Sequence, residues 1–225
     1  MKKEKVLLSW AGGKESAVCL FELKSPEFKI KGLISVATES DMRLSHSGIR
    51  LELVKKQAES LEIPLTSVVV GPKDGTGLKS KLLDEELEVF KKGGGQGVAF
   101  GENSSADLRQ AHELLLQRGG LNLILPVWKW KQQEVLRVFL GLGFKAIVTA
   151  VDLQKLPATF VGRNFDQEFI DTLPSNIDPC GENGEFYTFV YDGPFFQKRI
   201  ELKPGDRFEK NGYIYQDYKD GTHFN

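Results

Sequence analysis

The string VLLSWAGGKES at residues 6–16 restricts the fold more than any other part of the chain. An apolar run ends in Gly12 and Gly13, then Lys14, Glu15 and Ser16 follow and an amphipathic segment begins. A strand, a tight loop and a helix N-terminus require that order. Glycines let backbone N–H groups turn toward an anion with no Cβ in the way. The following helix points its partial positive end at the same place. Lys14 adds a full charge and Ser16 a hydroxyl donor. With Ser9 at the strand end, Ser9, Gly12, Gly13, Lys14, Glu15 and Ser16 make a candidate nucleotide-phosphate site. Spacing excludes two other loops. A GxxxxGK[ST] loop would need glycine in place of Leu8 and a hydroxyl in place of Glu15, and Ala11 and Lys14 break GxGxxG. A plain strand-to-helix turn would satisfy a bare GGK; the flanking strand and helix signals argue for more.

After this loop the chain alternates. Ala17, Val18, Leu20, Phe21 and Leu23 predict a helix, with Cys19 a core residue, ended at Ser25-Pro26. Residues 30–38 predict a second strand. Its end, Val36, Ala37 and Thr38, is the expected wall for an adenine ring, because ligands of such sheets lie beyond the carboxyl ends of the strands. Residues 39–47 read as a mobile polar loop in which His46, with no ligand-spaced partner, is a solvent-exposed bystander. Ile49, Leu53, Val54, Ala58 and Leu61 mark an amphipathic helix, and residues 65–70 a third strand. A turn-rich link over residues 71–77 follows, then a helix through Leu83, Leu87 and Phe90. The glycine-rich stretch 93–97 precedes a strand and reads as a connector. Residues 98–100 form a fourth strand, closed by Gly101-Glu102-Asn103. Ser104 and Asp107 have capping-box spacing, Leu108, Ala111 and Leu115 continue a helix, and residues 121–125 give a fifth strand. This alternation implies a Rossmann-like, doubly wound parallel sheet, with the loops after strands one, two and four on one edge.

The pattern changes at Pro126. A helix through Val135, Leu136, Phe139 and Leu140, a strand over 144–151 and a short helix through Phe165, Phe169 and Leu173 precede a β-rich tail from Phe186, with a hairpin turning at Asn211-Gly212. Two domains are expected, residues 1–126 (α/β) and 127–225 (smaller, α+β).

The chain has 225 residues, 30 basic against 31 acidic, for a formal charge of −1. That balance speaks against a general nucleic-acid or membrane surface. Cys19 and Cys180 are too few and too distant for a disulfide framework or a metal set, which fits a reduced, cytoplasmic setting. No apolar run is long enough to span a bilayer.

The second informative string is DPCGENGEFYTFVYDGPFF, residues 178–196. It reads as a tight turn presenting Glu182 and Glu185 with Asn183 between them, followed by a strand. Such carboxylates serve to hold Mg²⁺ through water, bind an amine or accept a proton, or they are incidental acids of a hydrophilic loop. No histidine lies near Cys180 in sequence to activate it as a nucleophile.

SWAGGKES resembles the SGGKDS loop of the ATP pyrophosphatases, part of the HUP superfamily, with Ala11 at the family's first serine and Glu15 at its aspartate. The second string resembles the GENGEFHTFV signature of the diphthine–ammonia ligase family, with Tyr187 at the family's histidine. Gly101-Glu102, Pro126-Val127-Trp128 and Gly162-Arg163 are similar to shorter segments of that family, so the resemblance spans nearly the whole chain. It implies an ATP- and Mg²⁺-dependent ligase that adenylates a substrate carboxylate, in the family one carried on translation elongation factor 2, and displaces AMP with ammonia. Lys14, Glu182 and Glu185 would be the catalytic residues. The loop residues, with Val36, Ala37, Thr38, Gly101 and Glu102, would hold the nucleotide. Cys180, Gly181, Asn183, Gly184 and Tyr187 would line the acceptor side. A non-catalytic nucleotide sensor and a tRNA-modifying enzyme with this loop are the alternatives. A homodimer and the identity of the acceptor are left open by the sequence.

Overall fold

The structure is a computed structural model that describes residues 2–75, 80–103 and 105–222. In chain order the elements are β1 (Glu4–Ser9), α1 (Lys14–Leu23), β2 (Phe28–Thr38), α2 (Leu51–Leu61), β3 (Leu65–Val70), α3 (Lys81–Lys92), β4 (Gly97–Ala99) and α4 (Ala106–Gly119). They continue with β5 (Asn122–Ile124), α5 (Gln132–Gly141), β6 (Lys145–Asp152), α6 (Gln167–Asp171), β7 (Phe186–Asp192), β8 (Leu202–Lys210) and β9 (Tyr213–Asp220).

These elements pack as two units, each assembled from separated segments. The first comprises Met1–Ala11, Glu15–Arg43 and Ile63–Trp130; the second comprises Gly12–Lys14, Leu44–Glu62 and Lys131–Asn225.

The first unit is built on a parallel sheet in the order β3-β2-β1-β4-β5. Side chains alternate along a strand, so Leu7 faces one side and Val6 and Leu8 the other. Leu7 joins Ile34, Val68, Val98 and Phe100 in a core closed by Leu83 and Leu87 of α3 and by Leu115 and Leu116 of α4. Val6 and Leu8 are fully buried as well. Apolar runs buried on both faces are what a parallel sheet demands of its strands. The Rossmann-like α/β architecture read from the sequence is the one observed.

Two local details depart from the sequence reading. Residues 39–47 are held in successive turns: the Thr38 hydroxyl donates to Asp41 Oδ1 at 2.5 Å, Thr38 N to Arg43 O and Leu44 N to Ile49 O. Thr38 and Asp41 thus satisfy the backbone of a stretch whose polarity reads as a loose loop. At α4, Ser104 lies outside the described residues and the cap is Ser105, whose hydroxyl accepts from Leu108 N at 3.2 Å. That phase exposes Leu108 and buries His112 in its place. Thr76 and Gly77 of the third link also lie outside the described residues.

The second unit has an antiparallel sheet in the order β7-β6-β9-β8. Phe139, Phe144, Phe165, Phe169 and Phe186 form a continuous aromatic core, with ring centroids 5.1–5.8 Å apart in stacked, tilted and edge-on pairs, as ring quadrupoles favour. The β8–β9 hairpin turns at Asn211 and Gly212, both at positive φ, as Asn-Gly predicts. Helix α2 lies in this unit and carries a polar side chain, Gln57, that is fully buried.

Candidate functional site

β1 is the central strand of the first unit, and it pairs with β2 on one side and β4 on the other, Leu8 opposite Ala99. The strand order reverses between β1 and β4, the position where open α/β sheets receive ligands. The chain leaving β1 is fixed at once. Trp10 N donates to Ile34 O at 2.8 Å, and the buried Ser35 hydroxyl donates to Trp10 O at 2.5 Å. Ala11 N donates to Ser16 Oγ at 3.1 Å. The Ser16 hydroxyl therefore closes the loop as an acceptor and keeps its own proton to give.

Gly12, Gly13 and Lys14 belong to the second unit. Gly12 adopts φ +74°, and its carbonyl accepts from Val190 N at 2.8 Å and from Gln57 Nε2 at 3.0 Å. Lys14 N donates to Thr188 Oγ1 at 3.2 Å. The glycine loop is thus laid along β7 and bonded to it at two points. Lys14 is 2% exposed, and its ammonium stands 5.6 Å and 5.8 Å from the ring centroids of Phe186 and Phe165. Aromatic faces offset part of the cost of burying that charge.

The acidic string forms one closed turn. Cys180 N donates to Asp178 Oδ1, Gly181 N to Asp178 O and Gly184 N to Gly181 O. Gly181 and Gly184 both take positive φ. Glu185 is buried, and its two oxygens accept from Asn183 N and Asn183 Nδ2, each at 3.0 Å. Lys155 Nζ donates to Asn183 O, and the Tyr213 hydroxyl to Gly184 O at 2.8 Å. Glu182 and Tyr187 are half-buried; Tyr187 has the rings of His46 and Tyr213 each 5.8 Å away. Cys180 is fully buried with Sγ 3.6 Å from Gln132 O, and Cys19 is equally enclosed, its thiol pushed far up by desolvation.

The remaining predicted residues sit at strand exits of the first unit. Ala37 is buried and Val36 packs against the α3–α4 core, while the Thr38 hydroxyl serves the following turn. Gly101 lies against the start of α1: a Cβ there would stand 2.8 Å from the Glu15 backbone. Glu102 Oε1 accepts from Ser105 N at 2.8 Å and so supports the first turn of α4.

The sequence profile of the diphthamide synthase N-terminal domain matches residues 4–123, and that of the C-terminal domain matches residues 131–221. The chain belongs to the diphthamide synthase family. Among curated relatives it is 25% identical over 220 residues to the diphthine–ammonia ligase of Schizosaccharomyces pombe, which covers 88% of this chain and 36% of that protein. It is 29% identical over 125 residues to the Homo sapiens diphthine–ammonia ligase, covering 53% of this chain and 45% of that one. The chain thus spans less than half the length of these curated relatives. A solved structure, the U34-tRNA thiolase NcsA from Methanococcus maripaludis with its [4Fe-4S] cluster, aligns at a TM-score of 0.35 and 19% identity over 62% of this chain and 57% of that one.

In this member of the diphthamide synthase family, several residues escape sequence reading. Gln57 falls on the apolar side of α2, between Val54 and Ala58, and a lone polar residue at that phase was the available signal. Thr188 and Ser35 are buried hydroxyls in strands, where nothing in sequence names a partner. His112, on α4, is likewise buried: it is stacked on Phe100 with centroids 3.8 Å apart and is driven down to a pKa of about 4 by desolvation.

Proposed function

We propose that this chain binds ATP at the loop leaving β1 and uses it to activate a carboxylate for amide formation with ammonia. The single observation that carries the reading is the placement of a glycine–glycine–lysine loop at the exit of the central strand, where the sheet order reverses. Membership of the diphthamide synthase family supports the ligase class. Ser9, Gly12, Gly13, Lys14, Glu15 and Ser16 would hold the phosphates; Val36, Ala37, Thr38, Gly101 and Glu102 would flank the nucleoside. The acceptor carboxylate attacks the α-phosphate, pyrophosphate leaves, and an acyl-adenylate forms. Ammonia then attacks the acyl carbon, AMP leaves, and a proton passes to a base, for which Glu182 and Glu185 are the carboxylates at hand. Cys180, Gly181, Asn183, Gly184 and Tyr187 would shape the acceptor side. On this reading residues 1–126 serve the nucleotide and 127–225 the acceptor, a carboxylate either free or carried on a protein.

Mg²⁺ enters such sites with the triphosphate and keeps several waters, so one or two carboxylates suffice. No cluster of three or more candidate ligands occurs among the described residues, and the half-buried Glu182 is the acid whose chemistry fits that role; the ion would neutralise phosphate charge. No helix among the described residues is long and apolar enough to cross a membrane. Cys19 and Cys180 are both free thiols, which fits the reduced, cytoplasmic setting we infer.

A nucleotide sensor is the second reading. It is favoured by the enclosed Lys14 ammonium and by the engagement of both Glu185 oxygens with Asn183. Calorimetric ATP binding combined with pyrophosphate release separates the two. Lys14→Met, which keeps the buried volume, should weaken ATP binding at least tenfold. Unchanged affinity would remove the loop from the nucleotide site. Tight ATP binding with no pyrophosphate released for any acid tested with ammonia would favour the sensor.

A further inference from the structure

We infer that Gln57 is a positioning residue that aims the Gly13 amide at the anion this loop binds. The inference rests on the nucleotide reading of the loop, and its own argument is geometric. A trans peptide is planar, so the carbonyl of one residue and the N–H of the next point in opposite directions. The Gly12 carbonyl is held by two donors, Val190 N at 2.8 Å and Gln57 Nε2 at 3.0 Å. The Gly13 N–H on the same peptide is thereby turned away from β7, and among the described residues no group accepts from it. The Lys14 N–H, by contrast, is already given to Thr188 Oγ1. Gly13 therefore carries a loop amide set up for an outside acceptor.

Gln57 can hold that peptide because it is itself held. Its Nε2 also donates to Val190 O at 2.5 Å, so one carboxamide joins the loop to β7. Helix α2 is anchored on both sides of it. Arg50 donates through Nε and Nη2 to Asp217 at 3.0 and 2.8 Å. Ser60 Oγ donates to Lys198 O and accepts from Lys198 N. Gln57 is fully buried, so water cannot take its place at the Gly12 carbonyl. A side chain at Gly12 would also displace it, since a Cβ there would stand 2.7 Å from Gln57 Oε1.

The test is Gln57→Met, which keeps the length and loses the donor, measured for ATP and for adenosine by calorimetry. A charge-assisted hydrogen bond lost or misaimed predicts a roughly tenfold weaker ATP complex, with adenosine affinity unchanged because adenosine carries no phosphate. ATP affinity within twofold of wild type, or equal weakening for ATP and adenosine, overturns the positioning role. Should the variant not fold, the wild-type protein decides by amide NMR during titration with inorganic pyrophosphate. The Gly13 resonance moving downfield while Lys14 stays supports the inference; Lys14 moving and Gly13 not overturns it. A wild-type protein that binds neither ATP nor pyrophosphate defeats the nucleotide reading and this inference with it. A wild type that binds ATP beside an unaffected Gln57→Met defeats only the role of Gln57.

Discussion

Arg50 and Asp217 meet side-on, guanidinium to carboxylate, through two bonds of 3.0 and 2.8 Å that join the start of α2 to β9. The Asp217 side chain is 9% exposed and that of Arg50 32%. Hydrogen bonding to Asp217 raises the Arg50 pKa above its ordinary value. The pair is thus intermediate between a surface ion pair and a buried one. Arg50→Met leaves an enclosed carboxylate without this partner and should cost about 1–3 kcal/mol, read as a lower urea midpoint at unchanged slope. A midpoint equal to wild type would show that the pair contributes only orientation.

His112 gives the first unit an acid-sensitive point. Burial lowers its pKa from 6.5 to about 4. The unfolded chain therefore binds a proton that the folded one refuses between those values. Its contribution to stability is full above pH 6.5 and is lost as pH falls toward 4, on the order of 2–3 kcal/mol. His112→Phe keeps an aromatic ring against Phe100 and removes the titration. Urea unfolding at pH 7 and pH 4.5 should show a smaller difference for the variant than for wild type; equal differences would assign the acid sensitivity to other groups.

Two glycines should respond in opposite directions to alanine. At Gly101 the new methyl would sit 2.8 Å from the Glu15 backbone, which cannot swing aside as a side chain does. Gly101→Ala should cost about 1–3 kcal/mol. Gly141 ends α5 with open space where a Cβ would be, and it is not at positive φ. Gly141→Ala should stabilise by about 0.4–1 kcal/mol. Thermal melts of the two variants should bracket wild type.

Glu185→Gln tests whether that acid acts on chemistry or on the turn. Both carboxylate oxygens accept from Asn183, so an amide places a donor against a donor. The variant should lose about 1–2 kcal/mol of stability through the turn. Glu182→Gln leaves those two bonds intact. A fall in pyrophosphate release for Glu182→Gln at unchanged melting temperature would place the chemistry on Glu182; a fall only for Glu185→Gln, with a lowered melt, would assign Glu185 to holding the turn.

The order of strands and helices was legible because burial on both faces forces continuous apolar runs, and helices carry one apolar side. Val6 to Leu8, Val68 to Val70 and the α3 series announce themselves in this way. The turns at Gly12, Gly181 and Asn211-Gly212 were legible for a related reason, since few residues accept a positive φ. Tertiary structure alone decided partners. That Lys14 is enclosed by Phe165 and Phe186, that Gln57 holds Gly12 to Val190, and that Asn183 takes both oxygens of Glu185 depend on which atoms meet. A hydrogen bond is directional and reaches about 3 Å, so a residue type sets what can be donated or accepted, and only the folded chain sets to whom.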